Sequence, residues 1–365
     1  MNSVSSVPFI VTFLTCVALV LTQRWHGTLS LDSASGVQKR HLVPTPRVGG
    51  IAIALGLLVA WWLATVAERA LLGPMVLAAI PAFAAGLAED LTKQMAVGLR
   101  LLATMFSGVL AWLLTGIAMQ DTGLWGLDYL LGFTPLAVLF TGFVVGGVAN
   151  ATNIIDGFHG LAAGVVGIML GAMGFMALQV GDAPVAHLAF LLATLALGFG
   201  AANWPGGRIF MGDGGAYLLG FLVAWVAILL PMRSETINGW ATLLACAYPV
   251  IEALYSIRRK LRRHGHHPGQ PDKCHLHHFI HRRVIRKLFP RVGPTWQNSL
   301  TGALIWLLAA VPALWAVAFC QNTAALVIGF FLAVFGYTAI FARLTQFVWC
   351  YQAATMRPPR AATAS

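Results

Sequence analysis

The sequence predicts an all-α polytopic integral membrane protein with about 11 transmembrane helices. Of its 365 residues, 58% are hydrophobic and only 10% are charged, whereas a soluble domain carries about 25% charged residues. Apolar stretches that approach or reach the roughly 20 residues of a membrane span recur along the chain. They lie near residues 4–22, 50–66, 74–88, 99–118, 132–149, 161–179, 184–202, 214–231, 239–257, 298–319 and 323–349.

The basic residues predict how these spans are oriented. No basic residue precedes the first span, and several follow it between Arg24 and Arg47, which is the reverse of a cleavable signal peptide. Because basic loops remain in the cytoplasm, we expect the amino terminus outside and the carboxyl terminus in the cytoplasm. With the spans alternating from there, only Arg69 and Arg233 of the 23 basic residues fall on the outer side.

A single transmembrane domain is predicted over residues 1–351, followed by a disordered cytoplasmic tail over residues 352–365. The formal net charge of +11 is explained by basic loops that face anionic lipid, so no nucleic-acid partner is expected. The five cysteines have no paired spacing and indicate no disulfide framework. The polar loops expected on the cytoplasmic face are residues 23–49, 89–99, 150–160, 203–213 and 258–297.

Carboxylates collect at the inner ends of the predicted spans. A charge left uncompensated in the bilayer costs roughly 3 kcal/mol on insertion scales, so an acid kept near a span requires a role. Glu89, Asp90, Asp156 and Asp213 each lie at such an end, beside glycines. Carboxylates from different spans on one face are predicted to converge on a metal ion or on a proton path.

The polar stretch at residues 150–164, Asn-Ala-Thr-Asn-Ile-Ile-Asp-Gly-Phe-His-Gly-Leu-Ala-Ala-Gly, lies between two apolar runs. Asn150, Asn153 and Asp156 recur every third residue, which places them on one face of a helical turn. Amide oxygens and a carboxylate suit a hard cation or a ribose. Hydrogen bonding between helices is the alternative for the asparagines, but it does not explain an aspartate beside three glycines.

Two shorter motifs lie near the second and third spans. Arg47, in Pro-Thr-Pro-Arg-Val-Gly-Gly, is either a snorkelling arginine at a helix entry or a phosphate contact beside two glycines. The adjacent acids Glu89 and Asp90 are either interfacial charge or a pair suited to metal binding or to acid and base roles. Lys93 is close enough in sequence to neutralise either acid.

Residues 203–216 read Asn-Trp-Pro-Gly-Gly-Arg-Ile-Phe-Met-Gly-Asp-Gly-Gly-Ala. An aspartate that opens a helix is often an N-cap, and this is the alternative for Asp213. The glycines around it leave the backbone bare, as a diphosphate or Mg²⁺ site requires. Arg208 is the only basic residue nearby.

The basic loop near residues 257–297 contains Asp-Lys-Cys-His-Leu-His-His. Three histidines and a cysteine within five residues suggest zinc as one alternative. Against zinc, Cys274 and His275 are adjacent and no matching second cluster is present. Anchoring to anionic lipid explains most of the arginines of this loop.

These motifs, in this order, resemble the polyprenyl-phosphate N-acetylhexosaminyl-1-phosphate transferases, of the glycosyltransferase family 4 type. The similarity runs from about residue 39 to residue 282, and the span count is similar to that of the N-acetylglucosamine-type branch. Each motif alone is of moderate specificity, and the five together in order are strong. They are Pro46-Arg47-Val48-Gly49-Gly50, Glu89-Asp90, Asn150…Asn153…Asp156-Gly157…Gly160-Leu161, Gly212-Asp213-Gly214-Gly215 and His275-Leu276-His277-His278.

The resemblance implies an enzyme that transfers sugar-1-phosphate from a UDP-N-acetylhexosamine to undecaprenyl phosphate and releases UMP. Because both phosphate groups are anionic, Mg²⁺ is expected to bridge them, with Mn²⁺ as the alternative ion. The resemblance further implies a multi-pass protein of the bacterial inner (cytoplasmic) membrane that contacts membrane lipid and has its active site on the cytoplasmic face. A role in starting O-antigen-like cell-envelope polysaccharide is expected, and a homodimer is plausible.

The family pattern also implies roles for single residues. Asp213 is expected to ligate the metal, and Asp156 to help hold the metal or the nucleotide sugar. Asp90, with Glu89, is expected to position or deprotonate the lipid phosphate or to act in the outer shell of the metal, and these two residues form the catalytic group together with Asp156. Substrate contacts are implied for Arg47, Lys93, Asn150, Asn153, His159, Arg208, His275, His277 and His278.

Two residues depart from the family pattern. The first acid after the third span is usually aspartate, and Glu89 reaches one methylene further, which puts a base role there in question. His159 stands where the family often has a second aspartate of the central motif. A neutral imidazole changes the charge at Mg²⁺, so we read His159 as a substrate contact or as a sign of altered donor choice.

A proton-coupled secondary transporter is the competing class, since membrane carboxylates, glycine-broken helices and a histidine suit it as well. However, the polar residues gather at one face instead of the midplane, and no inverted repeat is visible in the sequence. A non-catalytic scaffold would not need the acids. The donor sugar stays open between N-acetylglucosamine, N-acetylgalactosamine and a 6-deoxy N-acetyl sugar.

Overall fold

A computed structural model of the chain describes residues 6–32, 45–262 and 274–346. The tail predicted at residues 352–365 lies outside the described residues, as do parts of the first and last predicted loops. Within the described ranges the chain is almost entirely helical, apart from two short strands that pair antiparallel. The predicted all-α class is therefore confirmed for this part of the chain.

The elements follow one another as α1 (Ser6–Leu21), α2 (Gln23–Ser30), β1 (Leu31–Asp32), β2 (Thr45–Pro46), α3 (Gly49–Leu63), α4 (Val66–Ala78), α5 (Ile80–Thr92), α6 (Val97–Thr115), α7 (Trp125–Leu131), α8 (Thr134–Ile155), α9 (Leu161–Gln179), α10 (Ala183–Asn203), α11 (Gly212–Arg233), α12 (Gly239–Ala245), α13 (Ala247–Leu261), α14 (Leu276–Ile280), a π-helical segment (His281–Ile285), α15 (Arg286–Leu288), α16 (Pro294–Ala318) and α17 (Thr323–Thr345). In the strand pair, Leu31 lies opposite Pro46.

Seven described helices are long and apolar enough to cross a membrane, namely α6, α8, α9, α10, α11, α16 and α17. The pairs α4–α5, bent by 43°, and α12–α13, bent by 81°, raise the number to nine if each pair is one span. The remaining two predicted stretches coincide with α1 and α3, which are apolar but only 16 and 15 residues long. The protein is thus a multi-pass membrane protein, while the count of eleven and the orientation stay predictions.

Polar caps begin several helices at the ends that the sequence assigns to the outer side. Thr65 and Glu68 form a reciprocal capping box at the start of α4. Asp182 accepts a hydrogen bond from the Val185 N–H of α10 and also pairs with Arg233, whose Nε lies 2.7 Å from its carboxylate. These acids therefore have structural partners and are not needed for chemistry elsewhere.

Helix α11 is the centre of the bundle and is buried along almost its whole length, with α3, α5, α8 and α9 packed around it. Glycine allows its first turn to meet two neighbours at backbone distance. A Cβ on Gly86 of α5 would lie 2.5 Å from the Asp213 carbonyl carbon, and one on Gly50 of α3 would overlap the Gly215 nitrogen. Small residues at such crossings let helices approach closely in a membrane. The amino-terminal end of α11 is thereby fixed against α3 and α5.

Candidate functional site

The site is built around the amino-terminal turn of α11. Asp90, at the end of α5, accepts hydrogen bonds from the backbone N–H groups of Asp213 and Gly214, each at 2.8 Å. The two side-chain carboxylates are nearly inaccessible, at 1% for Asp90 and 3% for Asp213. A carboxylate at this position satisfies free helical N–H groups and complements the positive end of the helix dipole. Asp90, rather than Asp213, is therefore the side chain that caps α11.

Two arginines neutralise this pair of aspartates. Arg47, which precedes α3, places Nε 3.1 Å from the Asp90 carboxylate and forms a second ion pair with Asp213. Arg100 of α6 also forms an ion pair with Asp213, and one of its terminal nitrogens lies 3.8 Å from a Glu89 carboxylate oxygen. Four separate elements thus bring opposite charges together at one point. The Arg47 side chain is 30% exposed, so the cluster opens to solvent on its side.

Glu89 and Lys93 occupy the exit of α5. Glu89 accepts a hydrogen bond of 2.9 Å from the Met95 N–H, which closes the turn between α5 and α6. Lys93 adopts a left-handed conformation with φ of 56° and is exposed. The longer side chain at position 89 therefore reaches across the turn, whereas Asp90 points to α11.

Asp156 follows the last residue of α8 and is partly exposed. Removal of its carboxyl from water raises its pKa to about 7, with the positive charge of Arg47 opposing the rise and the negative charge of Asp213 adding to it. Asp156 therefore lies within electrostatic range of Arg47 and Asp213. Asp90 and Asp213 meet directly through the hydrogen bond from the Asp213 N–H, while convergence of the carboxylates on a metal ion or a proton path stays a prediction.

The two asparagines of the central motif have different surroundings. The Asn153 side-chain amide donates to the hydroxyl of Tyr217, at 3.2 Å, one turn beyond Asp213 on α11. The Asn150 amide donates to Thr104 of α6 and to a carbonyl of its own helix, at 3.2 and 2.8 Å. Asn153 thus belongs to the edge of the centre, while Asn150 joins α8 to α6.

The turn that carries His159 is held by polar side chains from α10 and α16. Gly160 has a φ of +69°, its N–H donates to Asn203, and its carbonyl accepts from the indole of Trp306 at 3.0 Å. The buried His159 ring places Nδ1 3.1 Å from the Pro205 carbonyl, and its backbone N–H donates to Asn298 at 2.7 Å. These contacts direct His159 toward the loop after α10 and the start of α16. Its predicted substrate contact stays a prediction.

The histidines form a second wall of the same region. The Phe158 ring lies among those of His277, His278 and His281, with centroids 5.6, 5.4 and 5.1 Å away. Gly157 faces His277, since a Cβ on this glycine would lie 3.4 Å from Nε2. The predicted histidine loop and the central motif, more than a hundred residues apart in sequence, are therefore in contact.

Arg208 lies apart from the carboxylates. It lines a groove of about 460 Å³ formed by α1, the end of α10, the following loop and the start of α16. The other walls of this groove are mostly apolar, with Phe13, Trp204 and Trp296 among them. A substrate contact by Arg208 therefore involves this groove, and it stays a prediction.

The residues at the centre suit a hard divalent cation that also binds phosphate. Mg²⁺ in phosphoryl-transfer sites is commonly held by one or two carboxylates together with substrate oxygens and water. Asp213 and Asp156 provide such carboxylates, although both oxygens of Asp213 face arginines. Among the described residues no group of three histidine, cysteine or acidic side chains is arranged to hold a metal ion on its own, and this also disfavours the zinc alternative.

Sequence reasoning missed several residues of the site. Arg100 reads as an ordinary loop charge, and Glu252 was given no role although both lie at the edges of the observed clusters. Tyr217 and Tyr248 were not distinguished from other aromatic residues of the spans. An acid within a predicted span was the one usable signal, and it applied to Glu252.

Comparison with known proteins identifies the family of the chain. The model of glycosyl transferase family 4 matches residues 72–231. The decaprenyl-phosphate N-acetylglucosaminephosphotransferase of Mycobacterium leprae is 31% identical over 296 residues, which cover 69% of this chain and 72% of that protein. The undecaprenyl-phosphate alpha-N-acetylglucosaminyl 1-phosphate transferase of Yersinia pestis is 27% identical over 262 residues, 70% of each chain. A probable undecaprenyl-phosphate N-acetylglucosaminyl 1-phosphate transferase of Bacillus subtilis is 27% identical over 317 residues, 82% of this chain and 86% of that one.

Proposed function

Since the chain belongs to glycosyl transferase family 4, we propose that it transfers N-acetylhexosamine-1-phosphate from a UDP-sugar to undecaprenyl phosphate. An oxygen of the lipid phosphate attacks the phosphorus that carries the sugar. The bond from that phosphorus to the bridging oxygen breaks, and the electron pair leaves with UMP. The product is a lipid-linked diphosphate sugar.

The observation that carries this proposal is the charge cluster at the inner end of α11. Phosphoryl transfer requires positive charge beside the equatorial oxygens and precise placement of two anions. Arg47 and Arg100 supply two guanidinium groups, and Asp213 holds both through ion pairs. Because Asp90 accepts from two N–H groups of α11, it fixes the helix end on which this cluster is built.

The carboxylates divide the remaining work. Asp213 and Asp156 are the residues that would hold Mg²⁺, with Mn²⁺ as an alternative. When bound, this ion supplies charge neutralisation between donor and acceptor phosphates. Asp156, partly exposed and with its pKa raised to about 7, can also hold a proton from the acceptor. Asp90 is too deeply buried for that role, so we assign it to positioning.

The acceptor requires an apolar channel that ends beside the polar centre. A groove of about 280 Å³ runs between α13, α16 and α17 and is lined mainly by aliphatic and aromatic side chains. Tyr248 and Leu276, at the histidine segment, lie along it. This groove supports the proposal that the isoprenoid tail packs there while the histidines face the phosphates.

The finer assignments belong to the same proposal. We place the protein in the bacterial inner membrane with its carboxylate cluster on the cytoplasmic face, because the basic loops fall on that side. The names of the relatives support an N-acetylglucosamine-type donor. The resemblance of the motifs supports a role in starting an O-antigen-like polysaccharide. A homodimer is part of the proposal.

The test is transfer by detergent-solubilised protein supplied with undecaprenyl phosphate, Mg²⁺ and a panel of UDP-N-acetylhexosamines. UMP and lipid-linked sugar are both measured. We expect turnover with one donor, abolished by EDTA and in Asp156→Asn. The matched control is Asp182→Asn, which breaks an ion pair near the other end of the bundle. A folded protein that releases no UMP from any donor, yet takes up solute with protons in liposomes, would overturn the proposal in favour of a transporter.

A further inference from the structure

Glu252 is a carboxylate within a membrane-spanning helix pair that none of the proposed chemistry uses. It lies in α13, and its side chain is completely inaccessible. A buried charge in such a position is expensive unless it is paired and hydrogen-bonded. The environment of Glu252 therefore indicates what this residue holds in place.

Glu252 makes its closest hydrogen bonds to the histidine segment, defined as residues 275–281, and the hydroxyl of Tyr337 in α17 also interacts with its carboxylate. One carboxylate oxygen lies 2.9 Å from Nδ1 of His275. The other accepts a hydrogen bond of 3.1 Å from the backbone N–H of Leu276, at the start of α14. One acid thus binds a side chain and the adjoining backbone together.

A second contact on the same face of α13 supports this attachment. Tyr248 precedes Glu252 by four residues, one helical turn, and its hydroxyl lies 3.4 Å from Nδ1 of His277. The rings of His275 and His277 are stacked at a centroid distance of 5.3 Å. Two consecutive turns of α13 therefore contact the histidine segment, Tyr248 at His277 and Glu252 at His275.

The histidine segment depends on such contacts because α14 has only five residues. A helix of this length is not stable by itself in water, and its placement requires tertiary contacts. A carboxylate that accepts from Nδ1–H also fixes the ring orientation and leaves Nε2 as the nitrogen available to another group. Glu252 therefore controls both the position of the segment and the tautomer of its first histidine.

We infer that Glu252 is a positioning residue that aligns the histidine segment with the turn at Asp156–Gly157, where His277 faces Gly157. The expected effect on kcat and KM rests on the proposed function. The attachment of the histidine segment to Glu252 rests on the geometry alone. The Glu252 side chain is fully buried, so we assign it no direct contact with substrate. It acts through His275 and Leu276.

The experiment compares Glu252→Ala, which removes both hydrogen bonds, with Glu252→Gln, which keeps one acceptor oxygen. Glu68→Gln is the matched control. Glu68 caps the start of α4, whereas the acids of the site lie at the end of α5, so this substitution changes an acid outside the site. Each protein is treated with diethyl pyrocarbonate, and carbethoxylation of His275, His277 and His278 is followed by mass spectrometry. kcat and KM for the UDP-sugar are measured on the folded fraction.

We expect Glu252→Ala to accelerate labelling of the histidine segment and to lower kcat/KM by on the order of 10-fold to 100-fold, the range for residues that orient a binding side chain. Glu252→Gln should recover part of both, and Glu68→Gln should match the wild type.

Unchanged labelling in Glu252→Ala, or an equal change in Glu68→Gln, would overturn the inference. If the wild type shows no transfer, the proposed function fails, while the labelling still decides whether Glu252 anchors the segment. If Glu252→Ala does not fold, the labelling and kcat/KM of Glu252→Gln decide by the same criteria.

Discussion

The amino-terminal end of α11 and the histidine segment are stabilised in different ways. At α11 the chain gathers carboxylates and arginines from α5, α6 and the segment before α3, so opposite charges compensate one another. At the histidine segment a single acid, Glu252, meets imidazoles and a backbone N–H. The first region is organised by charge balance and close backbone contact, the second by hydrogen bonds to one helix.

This difference predicts how each region responds to substitution. A charge removed from α11 leaves buried partners of one sign, which is costly in a low-dielectric environment. The hydrogen bond between Tyr248 and the histidine segment involves a neutral hydroxyl, so its loss costs less, although His277 is also buried. We therefore expect the larger effects at α11.

The largest effect is expected for Asp213→Asn. The substitution removes the carboxylate that pairs with Arg47 and Arg100 and that would hold the cation. UMP release should fall by about 10³-fold, as for loss of a central electrostatic group. Asp182→Asn serves as the control and should stay within about twofold of wild type, since exposed ion pairs contribute little. Activity retained in Asp213→Asn would remove the carboxylate from the mechanism.

The second largest effect is expected for Gly86→Ala, which disturbs the backbone contact between α5 and α11 and changes no charge. Its Cβ would lie 2.5 Å from the Asp213 carbonyl carbon, so α5 and α11 must separate. A displacement of this kind lowers kcat by about 10²-fold. Gly98→Ala in α6 is the matched control, because a Cβ there meets no atom within 4 Å. Equal activity of the two variants would show that the close crossing is not required.

Arg100→Gln should lower kcat/KM by about 30-fold, less than the loss of Asp213 because Arg47 remains. Arg100→Lys keeps the charge but not the fork of donors, and should recover only part of the loss. Steady-state kinetics over a range of donor concentrations separate the two variants. If Arg100→Gln behaved as wild type, the ion pair with Asp213 would be structural only.

The smallest effect is expected for Tyr248→Phe, which removes the hydroxyl near His277 and keeps the ring. A single neutral hydrogen bond contributes about 1 kcal/mol, so kcat/KM should fall by about threefold to fivefold. Tyr255→Phe, on the same helix but packed against Tyr337 and Phe341, is the control. A loss as large as that of Glu252→Ala would place a direct substrate contact at Tyr248.

Much of the fold was readable from the chain. Apolar runs predicted every long helix, although nothing in their pattern indicated that α4–α5 and α12–α13 are bent pairs. The central acids were also identified, because a carboxylate near a membrane span must be compensated. The role of Asp90 as the cap of α11 was not predicted, since the helix it caps begins more than a hundred residues later.

The sequence by itself determined the membrane class, the family motifs and the carboxylates that gather at one face, because periodic hydropathy and isolated charges are local properties. Only the tertiary structure decided which groups pair. Arg47 and Arg100 meet Asp213 across 166 and 113 residues, and Glu252 meets His275 across 23. Such partners depend on how the helices pack. Between α5 and α11, glycine lets the two backbones come into direct contact.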